Sequence, residues 1–122
     1  MWCGAADAQA VEAGKMVVRG GRLVPAAKAH PVSRTLKEGD EIAGFRVLET
    51  PGHSPGHISY WRETERVLVC GDVMWGQNPF LLSGGIQEPF PFVSPDPRLN
   101  RQSARRLAEL EPSLVCLSLI HI

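Results

Sequence analysis

Net charge is the first thing this sequence lacks: thirteen Lys and Arg balance thirteen Asp and Glu over 122 residues. Without an excess positive field there is little to draw in a phosphate backbone or an anionic lipid surface, so neither nucleic acid nor membrane is an expected partner. Cysteine is scarce. Cys3, Cys70 and Cys116 are odd in number and show no C-x-x-C spacing, which argues against a disulfide framework or a thiolate zinc cluster and for a reducing, cytoplasmic setting. No apolar run approaches the roughly 20 residues of a membrane span. The opening Met1-Trp2-Cys3-Gly4 also lacks the basic-then-apolar layout of a signal peptide. Internal repeats and low-complexity tracts are absent too. The length allows one core, and 43% hydrophobic with 21% charged residues is the composition of a chain that folds.

Glycine and proline are abundant, at 12 and 10, which implies many turns between short regular elements. Residues 7–13 read as a short helix with Asp7 as N-cap and Gly14 as the stop. Residues 16–18 and 23–24 suggest two short extended pieces or a surface excursion. Residues 32–36, 41–42, 45–50 and 58–61 read as strands, and the apolar run 67–70 as a strand covered on both faces. Asp96 followed by Pro97 opens a helix that carries Leu99, Leu107 and Leu110 inward until Pro112 ends it, and residues 114–116 form a last strand. Cys70 and Cys116 are expected as small buried hydrophobes, and Arg101, Arg105 and Arg106 as solvated charges.

The informative segment is Thr50-Pro51-Gly52-His53-Ser54-Pro55-Gly56-His57, followed by a hairpin that returns to Gly71-Asp72. Two prolines restrict φ and two glycines permit positive φ, so the loop is shaped and holds both histidines in defined directions. A hairpin centred on Thr64 would set Asp72 opposite Gly56, bringing a carboxylate to the imidazoles. These are ligand types that zinc and iron accept. On residue type and spacing alone, metal binding and plain surface hydrogen bonding both remain open.

That string, an apolar strand, and Val67-Leu68-Val69-Cys70-Gly71-Asp72 closely resemble the central part of the metallo-β-lactamase-fold hydrolases, glyoxalase II-like enzymes included. The resemblance implies an α/β fold: the later half of an αββα sandwich, a mixed β-sheet with flanking helices, over residues 1–116. It implies that His53 completes the three-histidine set of a first metal and that Asp72 bridges two metals as the catalytic carboxylate. His57, not a ligand in the family, would orient the loop by hydrogen bonding. The implied cofactor is zinc, two ions in the intact parent, with iron or manganese as other occupants. The implied reaction is hydrolysis of a small-molecule thioester, lactone or related ester by a metal-activated hydroxide. Trp75 and Phe80 would wall a substrate pocket or pack as ordinary apolar side chains.

Two departures stand out. The family's H-x-H-x-D-H motif is absent, and so is its later Gly-His-Gly-like segment. His53 and Asp72 fall one short of the three protein ligands of a catalytic zinc. The chain is therefore expected to be a fragment that binds metal weakly and hydrolyses nothing at a useful rate. A mononuclear iron persulfide dioxygenase-like enzyme and a noncatalytic interaction module are the alternatives. Residues 117–122, Leu117-Ser118-Leu119-Ile120-His121-Ile122, match a translated transposon mosaic-end adapter and are expected to be an artefactual tail.

Overall fold

Turn residues cut the apolar stretches into short strands, and the computed structural model describes residues 1–26, 28–77 and 84–118. Strand β1 (Trp2–Gly4) leads through a 3-10 turn (Ala5–Asp7) into helix α1 (Ala8–Glu12). Next come β2 (Lys15–Val18), β3 (Arg22–Pro25), β4 (Arg34–Leu36), β5 (Glu41–Ile42), β6 (Phe45–Glu49), β7 (Ile58–Arg62) and β8 (Val67–Gln77). The chain continues with β9 (Gly84–Gln87), helix α2 (Pro97–Ala108) and β10 (Leu114–Ser118). The main sheet runs β10-β8-β7-β6-β5, with β9 pairing the far half of β8. β10 lies parallel to β8, whereas β7 and β9 lie antiparallel to it.

Helix α2 closes one face of this sheet. Asp96 caps it by accepting from the Leu99 N–H at 2.9 Å, with Pro97 at the first helical position, where a missing N–H costs nothing. Leu107 is 0% exposed and packs into a core with Leu48, Trp61, Leu68, Cys70 and Val73.

Several expectations change. The chain opens in β1, which pairs in parallel with β4 some thirty residues away, a contact that no local pattern reveals. Residues 16–18 and 23–24 belong to one antiparallel hairpin, β2–β3. The β7–β8 hairpin is not centred on Thr64: Arg62 faces Val67, Trp61 faces Leu68 and Tyr60 faces Val69. Its loop has four residues, 63–66, closed by Arg66 N–H donating to the Glu63 carbonyl with Arg66 at φ 53°. That one-residue change exchanges the side-chain faces relative to the partner and sets His57, instead of Gly56, across from Asp72. Cys116 is exposed. β10 is an edge strand whose Val115 and Leu117 pack against the core, so period-two alternation turns the residue between them to solvent. The regular β8–β10 register holds for residues 114–116 and shifts at Leu117.

Arg106 is more than a solvated charge. It donates to the Glu49 carbonyl at 3.0 Å and pairs with Glu38, joining α2 to the segment ahead of β5. The hydrogen bond from Arg106 holds the Glu38 carboxyl below its usual 4.5. A carboxyl with a depressed folded-state pKa stabilises the fold above its unfolded value and loses that contribution as pH falls through the folded one. Since both side chains are partly exposed, the contribution is at most about 1 kcal/mol. Urea titrations of wild type and Glu38→Gln should therefore differ by a constant small amount above pH 4.5 and converge below it. A gap that widens on acidification would contradict the pairing.

Candidate metal centre

The loop between β6 and β7 is pinned from three directions. Thr50 N–H donates to the His57 carbonyl at 2.9 Å and closes its base. On one side Asp7 accepts from Gly56 N–H at 2.8 Å and from the Ser54 hydroxyl. Asp7, expected as a helix cap, makes no side-chain cap bond; the loop amide and hydroxyl take its carboxylate instead. On the other side Ser103 of α2 donates to the Pro51 carbonyl at 2.8 Å, and Asp96 N–H donates to the Gly52 carbonyl at 3.2 Å.

His53 is thereby directed toward the end of β8. Its Nε2 lies 3.8 Å from Asp72 Oδ2, and its Nδ1 lies 3.4 Å from the Ser94 hydroxyl. Burial holds the His53 imidazole below its ordinary 6.5, against the opposing pull of the Asp72 and Asp7 carboxylates. Asp72 is positioned independently. Trp75 N–H donates to Oδ1 at 3.2 Å, leaving Oδ2 as the oxygen facing His53. Trp75 is only 7% exposed, and its ring stands edge-on to His53 with centroids 6.4 Å apart. In this position it is an orienting donor packed beside the carboxylate. Phe80 lies outside the described residues.

His57 lies behind the pair. Its Nε2 accepts from Asp72 N–H at 3.0 Å and its Nδ1 is 2.8 Å from the Thr50 hydroxyl. Burial, and then the neighbouring His53, bring its pKa down to about 4, so it is neutral at pH 7. Helix α2 reaches β8 too: Asn100, 2% exposed, donates from Nδ2 to the Val73 carbonyl at 3.0 Å, directly after Asp72. Asp7, Ser59, Asn100 and Ser103 are absent from the sequence-based site, and Thr50 entered it only as the first residue of the loop. A buried polar residue on an otherwise apolar helix face, as at Asn100 and Ser103, was the one available signal.

The donor pair fits a cation. Two donors each about 2.1 Å from one tetrahedral zinc lie roughly 3.4 Å apart, so His53 Nε2 and Asp72 Oδ2 need to close by only a few tenths of an ångström. Two donors are one short of the three protein ligands of a catalytic zinc. Among the described residues no cluster of three or more His, Cys, Asp or Glu side chains is placed to hold an ion.

The profile of the metallo-beta-lactamase superfamily matches residues 3–118. The chain belongs to that superfamily. Over 48 residues it is 46% identical to a hydroxyacylglutathione hydrolase of Rhodospirillum rubrum, an alignment covering 36% of this chain and 19% of that enzyme. Over 78 residues it is 38% identical to an N-acyl homoserine lactonase of Bacillus thuringiensis, covering 60% of this chain and 29% of the lactonase. Among solved structures, the protein TTHA1623 in a di-iron-bound form superposes with a TM-score of 0.68 at 27% identity, over 97% of this chain and 56% of that one. An N-acyl homoserine lactone hydrolase with N-hexanoyl-L-homoserine at its catalytic metal centre gives 0.56 at 25% identity, over 94% and 45%. The chain spans less than two thirds of each of these metallo-beta-lactamase relatives. Its mixed α/β architecture fits part of the superfamily's sandwich. Among the described residues, no helix is long and apolar enough to cross a membrane.

Proposed function

We propose that this chain supplies His53 and Asp72 to the metal centre of a hydrolase acting on a small thioester, lactone or related ester, and that the chain by itself is inactive. The observation carrying this reading is the 3.8 Å approach of His53 Nε2 to Asp72 Oδ2, with both groups held from behind by hydrogen bonds. The substrate class follows from the hydroxyacylglutathione hydrolase and lactonase relatives, whose names describe a thioester and a lactone. Zinc is the proposed occupant, with iron and manganese as other candidates; one relative holds two irons.

When bound, a divalent cation supplies Lewis acidity, lowering the pKa of a bound water toward about 7 and polarising the substrate carbonyl. His53 offers a neutral imidazole nitrogen, since burial disfavours its charged form. Asp72 offers a carboxylate oxygen already turned toward His53, and as an acceptor it would orient the attacking water. Trp75 keeps Oδ1 occupied, so Asp72 does not rotate freely. Thr50, Pro51 and the loop contacts to Asp7 and Ser103 keep His53 on the same side as Asp72.

Calorimetric titration of zinc into the 122-residue chain should show only weak binding, lost in His53→Ala and in Asp72→Ala. A stoichiometric submicromolar site would overturn the inactive-part reading. Weak binding that survives both substitutions would overturn the assignment of the ligands.

A further inference from the structure

The regular β7–β8 ladder ends at Tyr60 and Val69, just before β8 reaches Asp72. Beyond that point Gly71 takes φ 56°, and a Cβ there would come within 2.8 Å of His57 Nε2. Two side chains bridge the gap. Ser59 Oγ donates to the Cys70 carbonyl at 3.3 Å, and His57 Nε2 accepts from Asp72 N–H at 3.0 Å. Between them, His57 Nδ1 lies 2.8 Å from Thr50 Oγ1, which lies 2.8 Å from Ser59 Oγ.

The direction of every bond follows from its ends. A backbone N–H only donates, so His57 Nε2 carries the lone pair and the ring proton sits on Nδ1. Nδ1–H donates to Thr50 Oγ1. Thr50 then has its own proton for Ser59, and Ser59 has its own for the Cys70 carbonyl, which only accepts. The chain leaves β8 at residue 72 and rejoins it at residue 70, on either side of Gly71. Thr50 and Ser59 are fully buried, so no water competes for these bonds.

We propose that His57 is a positioning residue for Asp72: on the β7 side of β8, whose other edge still pairs Gly71 with Leu117, this one-way chain of four hydrogen bonds replaces the strand ladder and sets where the Asp72 carboxylate stands. The inference rests on the reading of Asp72 as a cation ligand. Because one end of the chain is the Asp72 amide itself, its loss frees the backbone that carries the carboxylate, while the hairpin farther along keeps its own backbone pairing.

Long-range proton–nitrogen correlation on the 15N-labelled 122-residue chain should find His57 protonated at Nδ1 and bare at Nε2. A proton on Nε2 would overturn the proposal, and this measurement needs no variant. Two substitutions separate the halves of the ring. His57→Gln puts an acceptor near the place of Nε2, whereas His57→Asn reaches only the place of Nδ1. Amide exchange at Asp72 should accelerate roughly tenfold in His57→Asn and stay near wild type in His57→Gln, the scale of one lost hydrogen bond. Equal Asp72 protection in all three proteins would overturn the proposal. Zinc at millimolar concentration, followed through the His53 ring signals, should bind about tenfold more weakly to His57→Asn than to His57→Gln, and equal affinity in the two would count against it. If the tautomer and the Asp72 protection come out as expected while zinc moves neither His53 nor Asp72 in wild type, the positioning chain stands and the ligand reading fails.

Discussion

Gly52→Ala is expected to cost about 3 kcal/mol or more of stability. Gly52 adopts φ 137°, a region that strains any residue with a side chain. A Cβ there would lie 2.2 Å from the Asn100 nitrogen and 2.4 Å from its Cα, both of them helix backbone that cannot rotate away. Helix α2 would have to move off the loop. That shift would strain the Ser103 bond to Pro51, the Asp96 bond to Gly52 and the Asn100 bond to Val73 together. Backbone strain and overpacking each cost about 1–3 kcal/mol, against a total stability of about 5–15 kcal/mol for a domain. Urea unfolding should show either a large fall in midpoint or no cooperative transition. A loss below about 1 kcal/mol would mean that the loop and the helix do not touch as described.

Leu107→Ala should cost about 2–5 kcal/mol, because the side chain is wholly buried where α2 meets the sheet and its removal leaves a cavity that packed neighbours fill only in part. The midpoint should drop with the urea dependence unchanged, as expected when stability alone is altered. Leu114→Ala is the control. That leucine is 55% exposed on the edge strand, and its replacement should fall within about 0.5 kcal/mol of wild type. Equal losses at the two positions would show that α2 does not seal this face.

Much of the fold was legible wherever local chemistry decides. Asp96 before Pro97 marked the start of α2 because a capping carboxylate and a missing N–H both suit a helix's first turn. Residues 67–70 read as a strand because a short apolar run between turn signals suits one, and β8 begins there, with Leu68 and Cys70 buried and Val67 and Val69 only partly so. The shaped loop was equally plain from its prolines and glycines. Its partners were not. Asp7 reads as a cap from its neighbours, and only the approach of the 3-10 turn to Gly56 gives the carboxylate stronger donors elsewhere. The hairpin register was missed by one residue because a four-residue loop requires Arg66 at positive φ, which its side chain does not advertise. Cys116 was misjudged because an apolar run carries no mark of whether it ends up central or at an edge.

From the sequence by itself came most of the elements other than β1 and β9, the superfamily resemblance and the candidacy of His53 and Asp72, since each depends on residue types a few positions apart. Tertiary structure alone decided that those two side chains face each other, that His57 takes the Asp72 amide, and that the 3-10 turn ahead of α1 and helix α2 grip the loop from opposite sides. Those outcomes depend on contacts between residues that lie far apart along the chain, and the free energy of such contacts exists only once the intervening segments have packed.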